Sequence, residues 1–394
     1  MNSIGFKYFL LYSVSVLTIA GTTIVAPSLP EFNFHNTLLS VEPDFLYRMT
    51  LTLPALATAL AGLLLASLRV APDKKKLMIT GLLGYAVFGS SGFFTDDAIK
   101  LICSRFLLGI SVAILMYSVT FFLSEVRTSK DIRKTFYSQS AFMGGANILV
   151  SLFSGFLATL DWKYPFLIYL ISLLLIPGVI IFLHSKSVKG PIKQPDTTNK
   201  MTGVLRGATL PLVFCALAFL NMSLYFTIPS LLPYFIKNLN SDNIPSVGFC
   251  LSFVCAMWFF SSLYFRQSRI FTTDFMPVNC GFMSLGLGLF ILGSSHSSLM
   301  IFIGLFFIGV GLGLNIPNFN IIVISLSDER TRPMLISILI TSIYLGQFLA
   351  PTFAEPVISQ FGLPQTFKVY GIIASMIAIF GFTLSHFNAQ KVSS

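Results

Sequence analysis

Apolar and polar positions alternate along this chain on a long period. Hydrophobic runs, most near the ~20 residues a helix needs to cross a bilayer, are punctuated by short polar or charged segments. The runs fall at 8–29, 47–68, 77–95, 99–123, 138–159, 164–184, 207–236, 246–265, 276–294, 298–325, 334–358 and 366–386. They predict twelve membrane-spanning helices. Several carry Gly or Pro internally, which helices in a bilayer tolerate because neighbouring groups re-satisfy the freed backbone. The first run ends in Pro27, Pro30 and Glu31 with no small-residue cleavage site. It also exceeds the apolar region of a secretory signal, so it is expected to be the first span.

Composition agrees with that pattern. The 394 residues are 55% hydrophobic and 10% charged, with mean hydropathy +0.82, whereas an ordinary soluble domain is about 25% charged. No soluble core absorbs that much apolar sequence. The net charge of +10 is scattered between apolar runs and forms no patch or stripe of the kind nucleic acid requires. Its distribution instead sets orientation, because Lys and Arg are retained on the cytoplasmic side. Alternate segments hold Lys7, Arg69 to Lys76, Arg127 to Lys134, Lys186 to Arg206, Arg266, Arg269, Arg330, Arg332 and Lys391; the intervening ones hold only Arg48, Lys100, Lys163, Lys237 and Lys368. Both termini are therefore expected in the cytoplasm of a bacterial inner membrane.

One extended polar connection, residues 185–206, lies at the midpoint and predicts two six-helix bundles, 1–184 and 207–394. The halves share a pattern. Gly109 precedes the polar cluster that opens at Glu125, and Gly309, 200 positions later, precedes "SLSDERTRP" after a similar apolar run. Parallel six-helix repeats place a solute site near the midplane between them. A monomer is expected, with a small-molecule solute and the lipid bilayer as its partners.

The candidate chemistry is sparse. No phosphate-binding loop, nucleophile elbow or zinc-protease helix is present, so neither an enzyme nor a cofactor is predicted. The five cysteines lie in or beside apolar runs without paired spacing and read as packing residues, and the four histidines fall near helix ends. Arg105 lies about two turns inside the fourth run, where a guanidinium must snorkel outward, tie helix ends together by hydrogen bonds or line a polar cavity as an anion-attracting or proton-responsive group. Glu355 is the only carboxylate within an apolar run and so the candidate proton carrier, unless it sits in water at the outer edge. Glu125, at the inner end of the fourth run, is expected to pair with Lys74 to Lys76 or Arg127 in an inner gate. Neutral groups at mid-helix depth that could meet a solute or bond between helices are Thr22, Thr23, Tyr117, Asn147, Asn221, Tyr225, Asn315, Asn318, Asn320 and Gln347. Asn315 and Asn318 stand out: at i, i+3 they share a helical face, and Pro317 frees backbone carbonyls nearby.

Several motifs resemble the major facilitator superfamily along essentially the whole chain, and within it the drug:proton antiporter-like branch. "CSRFLLGISVA" is similar to that family's Arg-xxx-Gly motif, with Arg105 and Gly109 in the matching positions. "LDWKYPF", "GVGLGLNIPNFN" and "YLGQFLAP" resemble its sixth, tenth and eleventh helices. The resemblance implies alternating access, a proton as coupling ion and a part for Arg105 in proton coupling. Two motifs depart from the pattern. The loop "ASLRVAPDKKKL" has Val70 where an aspartate is expected, leaving Asp73 before Lys74 and Lys75 to cap a helix or form an ion pair. The fifth-helix antiporter motif shrinks to "SLFSG", in which Gly155 and Ser154 remain. Proton-coupled efflux of a small amphipathic compound leads. Uptake or dedicated carriage of an anionic metabolite or siderophore, favoured by Arg105, and a non-transporting sensor or scaffold stay open.

Overall fold

A computed structural model describes residues 3–31, 43–67, 73–95, 97–124, 129–183, 201–238, 247–267, 275–327 and 331–393. Its helices are α1 Ser3–Thr23, α2 Pro43–Ser67, α3 Lys74–Ser90, α4 Ala98–Ser124, α5 Ser129–Leu160, α6 Ile176–Phe182, α7 Met201–Tyr225, α8 Thr227–Asn238, α9 Val247–Gln267, α10 Met276–Gly293, α11 Ser298–Ser325 and α12 Arg332–Ser393. Short 3-10 segments extend α1 (Ala26–Glu31) and α3 (Ser91–Phe94), and a longer one, Tyr164–Leu175, leads into α6.

These elements make twelve crossings. Helices α7 and α8 form one broken span, and α12 is two spans joined at Gly362, whose φ of 80° is a left-handed conformation that glycine adopts without steric cost. The span that starts with α1 breaks in the same manner as α7–α8, where Pro27 and Pro229 lie just beyond the break and cannot donate to the helix. An even number of crossings puts Ser3 and Ser393 on one face of the molecule. That face carries Lys75, Arg133 and Arg266 and is called the basic face below.

The helices overrun the apolar runs on the basic face. Helix α5 starts at Ser129 instead of 138, and α7 starts at Met201, inside the polar connection expected to run to 206. Helix formation depends on backbone propensity, and Lys, Arg and Met propagate a helix in water as readily as in lipid.

Each half is a bundle with matching neighbours. Helix α4 packs on α2 and α3 as α11 packs on α9 and α10, and α1 packs on α5 as α7 packs on α12. The packing repeats at residue level. A methyl group at Gly109 would strike the carbonyl of Pro54 and the side chain of Ala57; at Gly309 it would strike the carbonyl of Val254 and the side chain of Met257. All three positions differ by the 200 residues that separate the glycines in sequence. Two seams join the halves, α5 against α9 and α2 against α12.

Candidate functional site

Arg105 is the most deeply buried charge among the described residues, with 1% of its surface exposed. Its Nη1 donates to the Tyr169 hydroxyl at 3.0 Å, and its Nη2 donates to the carbonyls of Phe88 (3.1 Å) and Gly89 (2.7 Å). The guanidinium also lies 5.0 Å from the Phe166 ring centre and 5.1 Å from that of Tyr169. Tyr169 in turn donates to the Gly21 carbonyl at 2.6 Å. The 3-10 geometry of Tyr164–Leu175 brings both rings over the arginine, and the end of α3 supplies free carbonyls because the helix tightens there. Arg105 thus links α3, α4 and the sixth span by hydrogen bonds, and α1 through Tyr169. All its partners belong to its own half.

In the other half the buried polar groups are amides. Asn315 Nδ2 donates to Asn221 Oδ1 at 2.6 Å, and both residues are fully buried. Any side chain at Gly281 would collide with the Asn315 carboxamide, so α10 carries a glycine there. Asn318 does not join this pair. Its Nδ2 donates across the seam to Tyr137 of α5 at 2.8 Å and to the Leu314 carbonyl at 2.6 Å. The shared face expected for Asn315 and Asn318 is therefore split between two partners, one inside the half and one beyond it. Gln347 is buried with its Nε2 3.9 Å from Met222 Sδ. Asn147 of α5 is fully buried and donates to the Met143 carbonyl one turn back at 2.9 Å. Cys255 of α9 lies beside Ser151 of α5 and Tyr225 of α7.

The seam itself is closed mainly by groups the sequence did not single out, Gly155 excepted. Trp258 Nε1 donates to Ser140 Oγ at 2.8 Å, and Ser140 shares a 3.0 Å hydrogen bond with Ser262. Farther along, Gly155 and Gly248 touch backbone to backbone, with no room for a methyl group on either. Tyr344 of α12 reaches Thr18 of α1. A tryptophan N–H inside an apolar run needs an acceptor, which was the one sequence signal available for this contact.

The remaining candidates are placed as follows. Glu355 is half-buried in α12, about two turns before the Gly362 break and away from the basic face. Tyr117 is half-buried in α4. Thr22 and Thr23 both donate back to the Ile19 carbonyl, and Asn320 to that of Ile316. Asp73 caps α3, accepting from the backbone N–H groups of Lys75 (3.0 Å) and Lys76 (3.4 Å), which is the capping role open to it. Lys75 Nζ donates to the Ile180 carbonyl at the end of α6 at 2.6 Å. Gly109 serves packing within its half and Gly155 packing between halves. Glu125 and the side chain of Lys74 lie outside the described residues, and with them the expected inner-gate pair.

No curated protein matches the chain in sequence. In structure it is similar to a D-xylose–proton symporter (TM-score 0.78, 13% identity, 96% of this chain and 97% of that one). It is also similar to the proton:xylose symporter XylE bound to 6-bromo-6-deoxy-D-glucose (0.75, 12%, 96% and 95%). The human organic anion transporter MFSD10 is a third neighbour (0.72, 14%, 97% and 99%). The family model described as Major Facilitator Superfamily matches residues 11–295 and 273–393. With twelve helical crossings, two repeated bundles and that match, the chain belongs to the major facilitator superfamily and has the fold of a secondary transporter.

Proposed function

We propose that this protein is a proton-coupled secondary transporter that exports a small amphipathic compound across a bacterial inner membrane by rocking its two halves, with both termini in the cytoplasm. The observation that supports this reading best is the character of the surfaces between the halves. They present amides, hydroxyls and aromatic rings from both sides, among them Asn147, Ser151, Tyr225 and Tyr344, while Arg105 is engaged by groups of its own half. An anion carrier built around Arg105 would need more of that guanidinium than Nε, the one of its nitrogens without a hydrogen-bond partner, so the anionic alternative loses support. The direction, outward, follows the drug:proton antiporter-like resemblance of the Arg105–Gly109 motif. Glu355 fits the proton site because α12 forms one seam, and a carboxylate on a seam changes its surroundings when the halves move.

Proteoliposomes with an internal pH dye, screened against a panel of amphipathic compounds, test the proposal. Solute addition should move protons, with solute and proton travelling in opposite directions. Movement in the same direction would establish symport instead. Absence of any solute-dependent flux across the panel would leave the sensor or scaffold reading.

A further inference from the structure

Helices α3 and α4 leave a trough on the lipid-facing wall of the first bundle, a cavity of about 300 Å³ whose lining includes Thr80, Leu83, Gly84, Val87, Leu107 and Ser111. Thr80, Leu83, Val87 and Leu107 are exposed along it. The floor is low because α3 has no side chain at Gly84, where a methyl group would strike Ser111 Oγ. Both hydroxyls in the lining are spent inside their own helices: Thr80 donates to the Lys76 carbonyl at 3.0 Å and Ser111 to that of Leu107 at 3.1 Å. The trough therefore presents apolar surface and no free hydrogen-bond donor.

A charge stands at one end of it. Lys76 is exposed and lies one turn before Thr80, and positions 76, 80, 83 and 87 share one face of α3. At 1.5 Å per residue, Lys76 to Val87 covers roughly 16 Å, about half of a ~30 Å hydrocarbon core. Lys75 is turned aside onto the Ile180 carbonyl, and Asp73 accepts from the first backbone N–H groups of α3. The repeat-related place in the second half lacks both features. Met276 stands there for Lys76 and Ser284 for Gly84. Ser284 donates to the Phe307 carbonyl at 2.6 Å, and Gly311, in place of Ser111, lets α11 meet the backbone of α10.

We propose that the trough is a binding site for one anionic phospholipid, with an acyl chain lying between α3 and α4 and its phosphodiester at Lys76. The length of the stripe suits the chain of a single leaflet, and the apolar lining gives a polar solute nothing to bind. A lysine at the mouth favours an anionic head group over a zwitterionic one. Phe88 also lines the trough, and its carbonyl accepts from Arg105 Nη2 at 3.1 Å. A chain seated there packs against the end of α3 that holds the buried guanidinium.

The test uses the full-length protein in phosphatidylcholine vesicles that contain a trace of phosphatidylglycerol or phosphatidylcholine with a photoreactive diazirine at the end of one chain. Labelled positions are mapped by peptide mass spectrometry. The phosphatidylglycerol probe should label Leu83, Val87 or Leu107 several-fold more than Leu149 and Leu152 of α5, which are also exposed, and several-fold more than the phosphatidylcholine probe does. Lys76→Met, the residue found in the second half, should cut that labelling about fivefold, the weight of one lysine beside an anionic surface. Lys134→Gln, a change at an exposed lysine of α5, should leave it unchanged. Val87→Trp fills the trough from a side that faces lipid, so it should remove the preference while melting stays normal. Equal labelling by the two probes, labelling spread evenly over α3, α4 and α5, or no loss in Lys76→Met would each overturn the site. An equal loss in Lys134→Gln would do so too, by showing a diffuse attraction to the whole basic face.

Discussion

The two halves repeat a backbone and diverge in what they bury. At a constant spacing of 200 residues, Gly109 on Pro54 and Ala57 becomes Gly309 on Val254 and Met257, and Gly81 under Leu115 becomes Gly281 under Asn315. Of the polar residues, Asn147 and Gln347 keep that spacing, but others do not. Leu305 stands where the first half has Arg105, and Asn221 where it has Gly21. In the first half Arg105 and Tyr169 donate to backbone carbonyls and leave Arg105 Nε bare, while in the second the buried groups are an amide pair bonded side chain to side chain. Helix-to-helix contact needs only small residues at the right spacing. The chemistry added to that frame therefore differs between the bundles.

The largest expected effect falls on Arg105. Arg105→Ala should cost about 3 kcal/mol, because it strips partners from Tyr169 and two carbonyls and leaves a void in hydrocarbon. Arg105→Lys should recover part of that, since a point charge replaces a planar fork. Melting of the purified protein in scanning fluorimetry measures both. A protein that melts normally but no longer transports would make Arg105 a pathway group and end the contrast between the halves.

Packing symmetry predicts the next effect. Gly109→Ala and Gly309→Ala each force a methyl group against a backbone carbonyl and should destabilise by about 2 kcal/mol, and by similar amounts. Melting shifts differing several-fold would show that the two contacts are not equivalent.

The seams supply a third contrast. Glu355 follows Gly155 by the same 200 residues, and Gly155 closes its own seam by glycine contact. Glu355→Gln should preserve downhill exchange and abolish gradient-driven accumulation. Full uphill transport with unchanged pH dependence in that variant would move coupling elsewhere.

How much of this was legible beforehand depends on the length scale of the cause. The spans were readable because bilayer thickness fixes their length, and the tenth run, 298–325, coincides with α11. The Gly109–Gly309 repeat was readable too, although its meaning as contact with Pro54 and Val254 needed the packing. Helix ends beyond the lipid were not, since hydropathy says nothing about Ser129–Tyr137. Arg105 announced itself by depth, but its partners come from two other elements that only the tertiary fold assembles. Asn315 and Asn318 illustrate the same limit: helical spacing gives a common face, and the neighbours on either side of that face decide which way each amide turns.

The smallest expected effect concerns the bond from Asn318 to Tyr137, which lies on the basic side of the molecule and crosses between halves. Such a bond exists only while that side is closed, so it favours the closed arrangement by its own net value. Interhelical hydrogen bonds within bilayers are worth about 0.6 kcal/mol on average, equivalent to roughly a threefold change in population. Asn318→Leu and Tyr137→Phe should each speed labelling of a cysteine at Ser262 by about threefold in a background lacking the five native cysteines. Because both remove the same bond, the double variant should label no faster than either single one. Additive acceleration, or none, would show that the amide and the phenol are merely neighbours and that closure of the basic side rests on Trp258 and Ser140.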